Sequence, residues 1–167
     1  MAFTHLHVHT EYSLLDGSNK IKEYVRRVKE LGMDSAAITD HGVMYGVIDF
    51  YKACRAEGIR PILGCEVYVA PNSRFDKELT GGDDRYYHLV LLAENNTGYN
   101  NLTRIVSRGF TEGYYYKPRV DMELLQEFHE GIIALSACLA GEVQRYITKG
   151  LYDEAKKTAL KYQACFG

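Results

Sequence analysis

A chain of 167 residues, 46% hydrophobic and 25% charged, can close a core as one soluble domain, and its net charge of −2 excludes nucleic-acid binding by bulk charge; any DNA contact must come from a local patch. The opening MAFTHLHVHT has no basic segment followed by an apolar run, and no apolar stretch approaches a membrane span, so we expect a cytoplasmic protein with no membrane partner. The four cysteines, Cys54, Cys65, Cys138 and Cys165, form no CxxC pair or cluster, which excludes a zinc ribbon and a disulfide framework.

In chain order, Thr4 to Val8 reads as a strand. Ser18 or Asn19 is placed to cap a helix whose apolar face is Ile21, Tyr24, Val25, Val28 and Leu31, with Gly32 stopping it. Ser35 to Thr39 reads as a second strand, Val47 to Glu57 as a helix ended by Gly58, and Arg60 to Ala70 as a longer strand. Pro71 to Arg85 is polar and contains Gly81-Gly82-Asp83-Asp84, a surface excursion. Tyr87 to Ala93 is a strand, and Thr97 to about Phe110 a helix with Leu102, Ile105 and Val106 inward. Thr111 to Val120 is aromatic and basic, Asp121 is placed to cap a short helix through Phe128, and Gly131 to Ala137 is another strand. Helical patterns over Gly141 to Lys149 and Leu151 to Phe166 close the chain. This alternation predicts βαβ units and a mostly parallel sheet. No glycine-rich phosphate fingerprint comes after the first strand, which argues against a dinucleotide fold.

Histidine stands in that place instead. His5, His7 and His9 alternate with Leu6 and Val8, and alternation on a strand turns all three imidazoles to one side. Neutral imidazole is the commonest metal ligand, so the triplet points to a metal or catalytic site. Thr39-Asp40-His41-Gly42 ends the apolar run Ala36-Ala37-Ile38, and chemistry in parallel α/β folds gathers at such strand ends. Glu66 lies inside the apolar strand Ile62 to Val69, where a carboxylate is costly unless paired or metal-bound. Cys138 ends the run Ile132 to Ala137, and its thiolate suits zinc alongside imidazole. Asp16 occupies the loop after the first strand. His88 precedes the apolar run Leu89 to Leu92, at the wrong end of a parallel strand: either the strand begins at Arg85 or its direction differs. His129 reads as a solvated loop histidine.

At His7-Val8-His9, Thr39-Asp40-His41 and Gly64-Cys65-Glu66 the sequence resembles the polymerase-and-histidinol-phosphatase (PHP) family. Leu14-Leu15-Asp16-Gly17, Gly113 to Val120 (GYYYKPRV) and Leu135 to Gly141 (LSACLAG) resemble its branch in bacterial DNA polymerase III alpha subunits. The resemblance implies a distorted seven-stranded β/α barrel that hydrolyses phosphoesters with two or three divalent ions, zinc first and manganese or iron as alternatives. Carried over by position, the ligands are His7, His9, Asp16, His41, Glu66, His88 and Cys138, with His5 in the layer beneath. Asp40, His41 and Glu66 are the expected catalytic residues, Asp40 orienting His41 from behind. The family pattern closes with a later Asp-x-His pair, and no histidine comes after His129 here, so residues 1–167 are expected to be a single, incomplete domain lacking the last barrel strands.

Paired metals suit phosphodiester hydrolysis, since they generate a nucleophile at neutral pH and clamp the phosphoryl oxygens. Arg104, Arg108, Lys117 and Arg119, opposed by Glu112 alone, give residues 104–119 a charge of +3 around Tyr114, Tyr115 and Tyr116, a composition suited to a primer 3′ end or to an ordinary solvated loop. Three functions are in play. The resemblance favours a metal-dependent 3′–5′ exonuclease acting with the remainder of a polymerase alpha chain. A structural domain that docks a separate proofreading exonuclease subunit is the alternative. A small-molecule phosphatase is disfavoured by the polymerase-like stretches.

Overall fold

The computed structural model describes residues 3–14, 16–78 and 85–167. The tip of the expected surface excursion, with Gly81 to Asp84, and Leu15 of the LLDG stretch lie outside the described residues.

The elements run α1 (Ile21–Glu30), β1 (Ser35–Ile38), α2 (Val47–Glu57), β2 (Arg60–Val69), β3 (Tyr87–Ala93), α3 (Asn96–Thr111), β4 (Arg119–Val120), α4 (Met122–Glu127), β5 (Ile132–Leu135), α5 (Glu142–Thr148) and α6 (Tyr152–Phe166). The expected helices form where apolar residues recur at helical spacing. On α1, Ile21, Val25 and Val28 are buried, while Leu31, expected on that face, lies past the helix end and is exposed. The expected Ser18 or Asn19 cap is not used; Lys20 occupies the cap position with no side-chain bond. Two caps do form: Asn95 accepts from Gly98 N, and Asp121 from Leu124 N.

The sheet is mixed rather than mostly parallel, and among the described residues it is open. Its order is β1-β2-β3-β5, with β4 also on β2. β1 and β4 pair parallel with β2, whereas β2–β3 and β3–β5 are antiparallel. The connection from β2 to β3, residues 70–86, has no helix among its described residues, and the two strands pair antiparallel instead of through a crossover. Thr4 to Val8 forms no strand. It is tied to the end of β1 by Thr39 N donating to Val8 O (2.9 Å) and Val8 N donating to Thr39 Oγ1 (2.8 Å).

Alternation along β2 sorts its two faces. Cys65, Val67 and Val69 enter a core with Leu89, Leu91, Leu102, Ile105 and Leu124, between the sheet and α3 and α4. A second core joins α1, β1 and α2 through Val25, Ile38, Phe50 and Cys54. Glu66 and Tyr68 point to the opposite face of β2, and His88 shares it, because Tyr68 and His88 are directly paired in the ladder. No helix is long and apolar enough to cross a membrane among the described residues.

Candidate metal centre

Glu66 is the centre of the site, and it has no exposed surface. Beyond β1 the chain Asp40–Gly42 continues alongside β2, with Glu66 N donating to Asp40 O (3.0 Å) and Gly42 N to Glu66 O (2.8 Å), which sets His41 beside Glu66. The direction of β3 settles His88: in an antiparallel partner the beginning of the strand lies at the C-terminal end of β2, so His88 reaches the same place. Its backbone N donates to Ala140 O (3.0 Å), which brings in the loop after β5 and Cys138. Ala137, just before that thiol, holds a left-handed φ of 64°.

Four imidazoles surround the carboxylate. His7 Nε2 and His88 Nδ1 lie 3.1 Å from Oε1, while His9 Nε2 lies 3.4 Å and His41 Nδ1 2.6 Å from Oε2. The rings of His9 and His41 stack at 4.0 Å. Asp16 Oδ2 is 2.8 Å from His41 Nε2, and Cys138 Sγ is 3.7 Å from His88 Nδ1 and 3.9 Å from Glu66 Oε1. Five of the other expected ligands therefore lie against the Glu66 carboxylate, and Asp16 joins them through the outer nitrogen of His41. His5 does not join them: it is exposed, its ring edge-on to Phe3 at 4.8 Å rather than layered beneath the cluster.

The donor set fits divalent metal. Two groups, His7–His9–Glu66 and His41–Glu66–His88, each hold three ligand atoms within 4.8 Å of one another, and Glu66 belongs to both. His41 Nδ1 and Glu66 Oε2, though 2.6 Å apart, are buried without an aligned hydrogen bond. Buried polar atoms are almost always satisfied, so a pair this close yet misaligned is what a shared cation would resolve. His7 Nε2 and His9 Nε2 likewise face each other at 3.1 Å.

The electrostatics reflect these distances. Burial pushes the Glu66 carboxyl up, but His41, His7 and His88 outweigh it and hold the group ionised, well below the usual range. The approach of Glu66 raises His41 above its ordinary value against the effect of burial. Burial, then repulsion from His41, lowers His9. Its bond with His41 lowers Asp16.

Asp40 is buried but does not orient the His41 ring, contrary to the sequence expectation. Its carboxylate accepts from Thr10 N (2.6 Å), Thr10 Oγ1 (2.7 Å) and Ser13 Oγ (2.8 Å). Ser13 Oγ in turn bonds His9 Nδ1 (2.9 Å) and accepts from His41 N (3.1 Å). Asp40 thus braces His9, through a serine that sequence reasoning missed; only the Ser13–His9 spacing of four hinted at it.

The basic stretch also divides. Arg119 is buried and donates to the carbonyls of Gly113, Arg74 and Asp76, so it is structural and not a nucleic-acid contact. Arg108 is paired with Glu112 (2.7 Å) and Glu127 (2.6 Å). Arg104 and Lys117 remain exposed.

A family profile described as "PHP domain" matches residues 5–167. The chain is 53% identical over its whole length to the DNA polymerase III subunit alpha of Treponema pallidum, covering 14% of that protein. It is 51% identical over 99% of its length to that of Helicobacter pylori strain 26695, and 45% over its whole length to that of Thermus aquaticus, again covering 14% of each. Among solved structures, an amidohydrolase from Chromobacterium violaceum is similar at 23% identity and a TM-score of 0.44, over 63% of this chain and 34% of the other. With a profile match across nearly every residue, the ligand-bearing segments included, the chain belongs to the PHP domain family.

Proposed function

We propose that this PHP domain is part of a bacterial DNA polymerase III alpha subunit and hydrolyses phosphodiesters at DNA 3′ ends with bound divalent ions, zinc first and manganese or iron as alternatives. The observation that carries the reading is one fully buried carboxylate, Glu66, shared by two groups of metal-ligand spacing. The identity to alpha subunits over the whole chain supports the polymerase context. Imidazole nitrogens and the Cys138 thiol favour zinc, while Glu66 and Asp16 admit harder ions.

Bound divalent ions supply a nucleophile at neutral pH and offset charge on the phosphoryl group. The protein's own part is to hold ligands. His7, His9, His41 and His88 present nitrogens from three directions, Glu66 stays ionised, and Ser13 fixes the His9 ring under the hold of Asp40. Asp16, exposed at the outer nitrogen of His41, stays ionised at the mouth of the site.

In the full-length protein, His9→Ala or Glu66→Ala should abolish metal-dependent removal of a 3′-terminal nucleotide while nucleotide addition persists. Both activities and a thermal melt are measured together. A folded variant that still removes 3′ nucleotides at the parent rate sinks the reading. One that melts early and loses both activities marks the centre as a structural brace, the docking-domain alternative.

A further inference from the structure

Beside the metal centre stands Tyr68, a buried residue two positions beyond Glu66 on the same face of β2. Its ring lies 6.2 Å from His41 and 5.3 Å from His88. The ammonium of Lys117 sits 5.4 Å from the Tyr68 ring centroid, exposed and without a carboxylate partner among the described residues. The loop carrying it is seated against the site by Gly42, the residue after His41. A Cβ at Gly42, whose φ is +65°, would meet Tyr68 Cε2 at 2.8 Å and Pro118 Cγ at 3.0 Å. The two loops therefore touch with no room for one more side-chain atom.

The turn itself is tight and strained. Tyr115 N donates to Lys117 O at 3.0 Å, and Tyr116 adopts a φ of 61°, a conformation bulky residues rarely hold. It leaves the Tyr116 ring 62% exposed, outside both hydrophobic cores. The guanidinium of Arg85 lies 5.2 Å from that ring, and the next residue, Tyr86, stacks on His88 at 6.1 Å. The exposed Tyr116 ring, edge-on to Tyr115 at 4.8 Å, and the Lys117 ammonium thus stand on a turn that reaches the imidazoles through Tyr68 and through Arg85 and Tyr86.

We propose that Tyr116 and Lys117 are the substrate-reading rim of the metal centre: Lys117 binds the phosphate next to the scissile one, and Tyr116 stacks on a base of a single-stranded nucleic-acid end. The inference rests on the phosphodiesterase reading and adds the residues that hold the single-stranded end. A phosphate contact beside an exposed π-face is the chemistry by which single strands are held without sequence preference. It selects an oligonucleotide over a small phosphoester, which has neither the neighbouring phosphate nor the base.

The first test is independent of activity. The full-length protein, with chelator present, is irradiated with a single-stranded oligonucleotide bearing 5-iododeoxyuridine at its 3′ end. The expected adduct maps to the peptide containing Tyr116. It is lost in Tyr116→Gly, which suits the positive φ and keeps the turn, falls about tenfold in Lys117→Gln, and returns in Lys117→Arg. The second test is kinetic: with manganese, Lys117→Gln should raise KM for 3′-nucleotide removal about tenfold with kcat within about twofold, an effect that shrinks as salt rises. Hydrolysis of bis(4-nitrophenyl) phosphate should not change. An adduct that maps elsewhere, or a Lys117→Gln protein with parent adduct yield and parent KM, overturns the rim. A parent protein that forms the adduct on Tyr116 but removes no 3′ nucleotide overturns the phosphodiesterase reading and leaves the rim standing as a single-strand contact.

Discussion

His41 and His9 stack ring on ring at 4.0 Å, yet their protons behave oppositely. In the metal-free protein, the approach of Glu66 Oε2 and then Asp16 raises His41 above its ordinary 6.5, whereas burial and the charge on His41 lower His9. The sign for His41 is that of a raised pKa: its pairing with Glu66 and Asp16 stabilises the metal-free fold fully below the unfolded value and is lost as pH rises through the folded one. A metal ligand must be neutral, so metal uptake has to displace this proton, while His9 is already neutral. Calorimetric titration of the chelator-treated protein with zinc, in buffers of different ionisation heat, should show proton release near neutral pH that fades as pH rises. Release that is the same at every pH would show that His41 carries no extra proton before the metal binds. Residue identity was the most legible layer here: His7, His9, His41 and Glu66 announce themselves by type and placement. Ser13 did not, because a spacing of four from His9 does not by itself mark a hydroxyl that bridges the ring to Asp40.

At the scale of elements, helices track the sequence closely. The α2 range and its Gly58 stop, the inward Leu102 and Ile105 of α3, and the Asp121 cap of α4 all form as the local pattern predicts, since a helix satisfies its backbone within itself. Strands track it less well. Thr4 to Val8 alternates like a strand but lacks a ladder, and β4 emerges from a stretch read as a loop because the end of β2 offers an edge for it. Asp121 does more than cap. It also accepts from Arg74 N and Arg74 Nη1, both at 2.8 Å, tying the segment after β2 to α4. Asp121→Ala would leave the buried Arg74 guanidinium to Glu112, and removing one partner of such a pair costs about 3–5 kcal/mol. We expect a melting temperature lower by about 10 °C, measured by calorimetry. A loss of only a degree or two would mean that water reaches Arg74.

Across the whole molecule, the proposed metal ligands come from five separate places: the N-terminal segment and its loop, the end of β1, β2, β3 and the loop after β5. Binding there links segments that are far apart in sequence across an open sheet, and ligand binding to the folded state alone stabilises it. Free zinc at about 100 times its Kd should add about 2.7 kcal/mol, or about 5–10 °C for a chain of this size, in a thermal melt. The same melt on His9→Ala should show a much smaller rise. Equal shifts in parent and variant would place the bound zinc elsewhere.

By itself the sequence determined which residues are candidates for the chemistry, which helices form and most of the apolar residues on their inward faces, because each of these rests on residue type and short-range spacing. Only the tertiary structure decided the rest. His88 belongs to the site because β3 runs antiparallel, and strand direction is set by hydrogen bonds to a distant partner rather than by the strand's own pattern. Arg119 was counted with the exposed cations but lies buried under three carbonyls, while Lys117, two residues earlier, stays at the rim; charge is visible in a sequence, but burial depends on what the rest of the chain packs around it.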